Sequence, residues 1–149
     1  MRRSIVALGA SLTLACASGG GPEAVIPESP ETAVRGFLDA ARENRLSGMS
    51  DLWGSSRGRA ADRMDETELR KRLMVIQVYL AHESFEIIAD TDPIRRGAGD
   101  RRTVRVRLSR SGCTPVVPFT VERWRTGWLI ADIDLAAIGN PTSRCRQPG

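Results

Sequence analysis

The sequence predicts an α+β domain, with three N-terminal helices packed on a curved antiparallel sheet of about four strands. Three observations carry this. From Ser29 to Ala81 the apolar residues recur at helical spacing. From Phe85 to Asp134 they alternate with polar residues at the period of a strand. Between the last two alternating runs lies Arg125-Thr126-Gly127, the pattern of a short hairpin loop. Helices followed by strands, rather than interleaved with them, place the helices on one face of an antiparallel sheet.

The first helix opens on Ser29-Pro30-Glu31-Thr32. This supplies an N-cap hydroxyl, a Pro at the first helical position and an acid where the helix dipole favours one. Val34, Phe37, Leu38 and Ala41 share its apolar face, and its end is expected near Asn44 or Arg45. A short second helix follows, with Leu46, Met49, Leu52 and Trp53 as its apolar side, broken by Gly54 to Gly58. Asp65 and Glu68 have the spacing of a capping box. The third helix begins there, and Leu69, Leu73, Ile76 and Leu80 make it amphipathic through to Ala81.

The period then changes. Phe85, Ile87 and Ala89 alternate with Glu86 and Ile88, and a polar loop covers Thr91 to Asp100. Val104, Val106 and Leu108 alternate with Thr103, Arg105 and Arg107 in a half-buried strand. Val116 to Trp124 and Trp128 to Asp134 form the closing hairpin. A three-residue loop with left-handed Gly127 would set Trp124 opposite Trp128, Val121 opposite Ala131, Phe119 opposite Ile133 and Val117 opposite Leu135. The expected core face is then Val117, Phe119, Val121, Leu129, Ala131 and Ile133. Trp124 and Trp128 fall on the other face, with Glu122, Ile130, Thr120 and Asp132, as a cross-strand aromatic pair. Such a pair reads as a hairpin staple or as a platform for a ligand or partner.

The first residues govern destination. Arg2 and Arg3 precede an uncharged run from Ile5 to Ala15, followed by Cys16-Ala17-Ser18 and Gly19-Gly20-Gly21-Pro22. A basic start, a short apolar core and small residues at the end make an export signal. The run is shorter than the ~20 apolar residues a bilayer span takes. Thr13-Leu14-Ala15-Cys16 and the Gly-rich spacer resemble a bacterial lipoprotein signal. That resemblance implies lipid on the Cys16 sulfur and cleavage just before it. The alternative is an ordinary signal cut at Ala15-Cys16-Ala17, which would release a soluble protein. On the first reading, residues 1–15 are signal peptide and 16–28 are lipidated Cys and flexible tether. Residues 29–138 are the domain and 139–149 a polar tail. Val25 and Ile26 interrupt the tether and could dock on the domain edge. The chain is then expected in the cell envelope, held to a membrane and facing the periplasm or exterior.

The three Cys are Cys16, Cys113 and Cys145. If Cys16 carries lipid or leaves with the signal, Cys113 and Cys145 form a natural pair in an oxidising compartment. The bridge would close a loop of about 33 residues, for roughly 3–4 kcal/mol in the chain-entropy account. A zinc site lacks ligands, with His82 the single His and no closely spaced Cys pair.

The formal charge is +4, and removing Arg2 and Arg3 from 22 basic residues, against 18 acidic, brings the mature chain near +2. Arg95-Arg96 and Arg101-Arg102 carry no interleaved aromatics, so no nucleic-acid partner is expected. Neither a nucleophile elbow nor a Gly-rich phosphate loop is present, and no cofactor is implied. His82 sits between the third helix and the first strand, a capping or exposed position; Asp51 and Asp132 are not expected in the core. Tyr79 and Trp53 could line a pocket.

Residues 29–40, the second short helix at Leu46 to Trp53 and the closing segment from Val121 to Ile133 resemble the NTF2-like (SnoaL-like) cone fold, in its lipoprotein branch of domains of unknown function. The resemblance spans Ser29 to about Leu135. It implies a curved sheet wrapped around the first helix, with a conical pocket. The reading that follows is a non-catalytic domain, lipid-anchored, binding a small apolar ligand or an envelope partner. The alternatives are a pocket enzyme acting on a small apolar molecule and a structural dimerisation module.

Overall fold

The computed structural model describes residues 25–88 and 99–141. The expected signal peptide, Cys16, most of the tether, Ala89 with most of the following loop, and Cys145 with most of the tail lie outside them. The elements are α1 (Pro30–Arg42), α2 (Leu46–Leu52), β1 (Gly54–Ser55), β2 (Gly58–Arg59), α3 (Glu66–Tyr79), β3 (Ser84–Ile88), β4 (Arg101–Ser109), β5 (Val116–Trp124) and β6 (Gly127–Ile133). A 3-10 turn follows β2 at Ala60–Asp62, and another follows β6 at Leu135–Ile138. The α+β class holds: three helices precede an antiparallel meander in the order β3-β4-β5-β6. The small β1–β2 hairpin is an addition to the expected architecture.

Local chemistry starts the helices where expected. The Ser29 hydroxyl accepts the Thr32 N–H at 3.1 Å, and the Asp65 carboxylate accepts the Glu68 N–H at the same distance. α1 buries Ala33, Val34, Phe37, Leu38 and Ala41 against the inner face of the sheet. The Gln77 amide ties α3 to the end of α1 by donating to the Ala41 carbonyl and the Asn44 side chain. α3 buries Leu69, Leu73 and Ile76, and Leu80 caps its C-terminus. Its opposite side is not uniformly polar, however, because Met74, Val75 and Val78 are exposed there beside Lys71. The expected simple amphipathic pattern is therefore corrected.

The β5–β6 hairpin departs from the expected register. The turn has two residues, with the left-handed conformation at Arg125 (φ 54°), so Trp124 pairs with Gly127 and Arg123 with Trp128. A one-residue change in loop length reverses which side chains face the core. Trp128 and Ile130 thus turn inward, and Trp128 is only 2% exposed. A β-bulge then restores the phase. Val121 pairs with Ile130 and Thr120 with Asp132, leaving Ala131 as the extra residue. Below the bulge Phe119 faces Ile133, as expected. Val117 does not pair with Leu135: β6 ends at Ile133, and the Asp134 N–H donates to the Pro118 carbonyl instead.

The Trp124–Trp128 cross-strand pair is therefore absent. The Trp128 ring lies inside, with the guanidinium groups of Arg102 and Arg123 each 5.1 Å from its centroid. Trp124 lies on the other face, between Arg59 and Arg125 at 5.5 and 4.4 Å. Leu129 shares that second face and is buried against Gly54, where an added Cβ would stand 2.9 Å from the Leu129 side chain. The β1–β2 hairpin is clamped by Glu122, whose carboxylate accepts the Ser56 N–H at 2.8 Å and lies 3.3 Å from Arg101. The Ser56 backbone bond is the main influence holding the Glu122 carboxyl below the usual range. Desolvation opposes it, and the Ser56 side chain, Arg101 and Arg57 add to the lowering.

Two outcomes follow for stability. Gly127 has no room for a side chain, because a Cβ would collide with Ile26 and the Pro27 carbonyl. Gly127→Ala should lower unfolding stability in urea by about 1–3 kcal/mol, as overpacking does, and speed proteolysis within residues 25–28. For Glu122 the folded pKa is depressed. Its stabilisation is therefore present above the unfolded value of about 4.3 and is lost as pH falls through the folded value. The stability gap between wild type and Glu122→Gln should be full at pH 6–7 and shrink toward pH 3 in pH-resolved denaturation.

Candidate functional site

Along the outer edge of β6 the described residues leave an opening. At the start of the strand, the Trp128 N–H donates to the Pro27 carbonyl at 2.9 Å and Ile26 packs on Gly127. The expected docking of the tether on the domain edge is thus made by Ile26, while Val25 stays exposed. In the middle of the strand Trp53 forms a parallel bridge to Ile130. Beyond it, between the end of β6 and α3, is an open cleft of about 480 Å³.

Each lining residue has a local reason to be there. α3 contributes Glu68, then Lys71 and Arg72, then Val75 and Ile76, so that successive turns recur every three to four residues along one side. The end of β6 contributes Asp132 and Ile133, and the following 3-10 turn presents Leu135. That turn is held by Asp134, whose side chain accepts the Ala137 N–H at 3.2 Å. Trp53 enters because α2 ends at Leu52 and the chain crosses β6 before turning into β1. Its own ring is tilted against Phe37, with centroids 5.9 Å apart, so the core fixes its orientation. Trp53, Ile76, Ile133 and Leu135 make an apolar floor, and Glu68, Lys71, Arg72 and Asp132 stand as charges around the rim. Glu68 and Asp132 are both exposed, so water surrounds them.

Of the residues singled out in the sequence, the cleft gathers Trp53 and Asp132. Tyr79 is half-buried, and its carbonyl accepts a hydrogen bond from Arg110 at 2.8 Å. His82 is half-buried, with Nδ1 2.6 Å from the Leu80 carbonyl and its ring edge-on to Phe85 at 5.5 Å. The carbonyl accepts, so the proton sits on Nδ1 in that bond. Nε2 has no hydrogen-bond partner among the described residues. Asp51 is exposed at the end of α2, away from the cleft lining. Trp128 is in the core, so its expected pocket or surface role is corrected by the two-residue turn, while Trp124 lies half-buried beside the β1–β2 hairpin. Glu122, whose pKa is lowered, serves the hairpin rather than the cleft.

Sequence reasoning missed Glu68, Lys71, Arg72 and Val75. They read as the solvent side of an amphipathic helix, and only the second run of apolar residues, Met74, Val75 and Val78, hinted at more. Among the described residues, no group of three or more His, Cys, Asp or Glu could hold a metal ion.

No family model matches the chain, and no curated protein sequence does. The chain is similar to a solved structure, the phospholipid-binding protein from Ralstonia solanacearum in complex with a phospholipid. The identity is 12%, the match covers 72% of this chain and 75% of that one, and the TM-score is 0.42. A likeness this distant carries no functional inference.

Proposed function

We propose that this chain is a lipid-anchored extracytoplasmic bacterial lipoprotein whose NTF2-like domain binds a small apolar molecule in the α3–β6 cleft without catalysing its conversion. The observation that carries the binding reading is the cleft itself. Its volume of about 480 Å³ is in the range of small-molecule sites, with an apolar floor and charge confined to the rim. A ligand with an apolar body and a polar end fits that distribution. The enzyme alternative calls for an acid or base packed against the reacting atoms. The cleft's floor is apolar, and the rim carboxylates point to solvent-exposed positions.

Anchorage and export are read from the sequence alone: the basic start, the apolar run and Ala15-Cys16. Pairing of Cys113 with Cys145 belongs to the same reading.

The neutral fluorophore N-phenyl-1-naphthylamine should bind the processed chain saturably at one site. Leu135→Glu, which puts a charge on the floor, should weaken that binding about tenfold or more, equivalent to roughly 1.4 kcal/mol. Binding that does not saturate, or that Leu135→Glu leaves unchanged, rejects the cleft. Intact mass after expression in a lipoprotein-competent bacterium tests the rest. A diacylglycerol-sized addition, lost in Cys16→Ser, is expected, with a gain of one hydrogen per bridged sulfur on reduction. A lipid-free mass beginning after Ala17 rejects the anchor.

A further inference from the structure

α3 is apolar on two sides. Leu69, Leu73, Ile76 and Leu80 enter the core, whereas Met74, Val75 and Val78 are 48%, 56% and 58% exposed. At 100° per residue the two stripes are centred about 180° apart on the helix. Val25, Met74, Val75, Val78 and Val116 are the large exposed apolar residues among those described, and three of these five fall within this one helical turn and a half. Isolated exposed apolar side chains need no explanation, but a contiguous stripe does.

The charges around the stripe select its partner. Lys71 lies within it, at three, four and seven residues from Met74, Val75 and Val78. Arg70 and Arg72 flank it, and all three cations are exposed with no ion pair among the described residues; exposed Glu68 lies at its N-terminal end, so three cations against one carboxylate leave the stripe's surroundings net positive. A second copy docked through the same stripe on a two-fold axis would bury Lys71 of both copies in an apolar contact, and burying an unpaired cation is unfavourable. An anionic lipid surface suits both parts. Aliphatic side chains enter the boundary between headgroups and acyl chains, and the basic side chains meet the phosphates.

Geometry allows the contact. From Cys16 to Val25 there are nine residues, which reach at most roughly 30 Å when extended. A domain of roughly 100 residues has a radius of gyration near 13 Å. A domain held at Cys16 therefore stays close enough for any of its faces to touch the bilayer.

We infer that α3 is a membrane-contact helix, inserting Met74, Val75 and Val78 into the interface of an anionic bilayer while Arg70, Lys71 and Arg72 engage its headgroups. The inference rests on the anchored reading for its proximity to a membrane, but not on the cleft having a ligand. Met74 and Val78 do not line the cleft, so a reporter there is independent of cleft binding.

The test uses the processed full chain carrying Met74→Cys labelled with an environment-sensitive fluorophore, beside Thr103→Cys on the exposed side of β4. Each is mixed with vesicles of phosphatidylcholine alone or with phosphatidylglycerol added, and flotation is measured in parallel. The expected result is a blue shift of the Met74 label on anionic vesicles that high salt reduces, with no shift at Thr103. Flotation without a Met74 shift overturns the inference and leaves the anchor standing. A Met74 shift without flotation supports α3 contact and removes the anchor. Equal shifts on neutral and anionic vesicles, or a shift without vesicles that grows with protein concentration, overturn it in favour of an uncharged interface or a second copy.

Discussion

β6 is an edge strand, and covering its free side organises much of the molecule. An exposed edge presents unpaired N–H and C=O groups and invites pairing with other chains. Here the edge is closed piecewise by segments far apart in sequence. Pro27 takes the Trp128 N–H at one end, and Trp53 bridges Ile130 in the middle. Gly127 permits the first closure because its missing Cβ is the space that Ile26 and Pro27 occupy. The second closure draws α2 up against the strand and delivers the Trp53 ring to the cleft. The cleft is what remains beyond these two segments, where α3 overhangs the end of β6 without sealing it.

The same strand shows how one residue of loop length propagates. A two-residue turn turns Trp128 and Ile130 inward, where α1 and the inner face of the sheet can bury them. Continued without interruption, that register would set Asp132 opposite Phe119, in the core. The bulge at Ala131 prevents this, returning Ile133 to the interior and Asp132 to solvent at the cleft rim. Bulges bend and twist a strand locally. The bulge therefore lies where β6 leaves the core and begins to line the cleft, so core packing and cleft lining share one cause.

Elements governed by local chemistry were legible in the chain. Ser29-Pro30 and Asp65–Glu68 announce α1 and α3, and the alternation around Val104 and Phe119 announces the sheet. The Phe119–Ile133 pairing was also recovered, though by two compensating displacements rather than by an unbroken ladder. What escaped depends on contacts distant in sequence. Gly127 looked like a left-handed loop residue, yet its conformation is ordinary strand and its role is clearance for Ile26. Gly54 to Gly58 looked like a simple helix break, but its strands pair Gly54 with Arg59 and Ser55 with Gly58, and the distant Glu122 carboxylate holds the turn at Ser56. Of the cleft residues, Trp53 stood out because aromatics near a helix end invite a pocket reading. Glu68, Lys71 and Arg72 did not, because charges on an exposed helical stripe are ordinarily solvated.

α3 brings the core, the cleft and the outer surface into one element. Its stripes succeed one another around the helix, so a residue such as Ile76 belongs to both core and cleft, and Val75 to both cleft and outer surface. A helix apolar on opposite sides gains nothing for the isolated fold from its second face, since Met74 and Val78 touch water there. It is, however, suited to a domain with an interior on one side and a lipid phase on the other. Lys71 and Arg72 stand where these two environments meet, on the cleft rim and beside the exposed stripe. An apolar molecule leaving a bilayer next to α3 would meet the cleft floor without first crossing open water. On this geometry, the proposed membrane contact and the proposed ligand binding would use adjoining faces of one helix, with the rim cations between them.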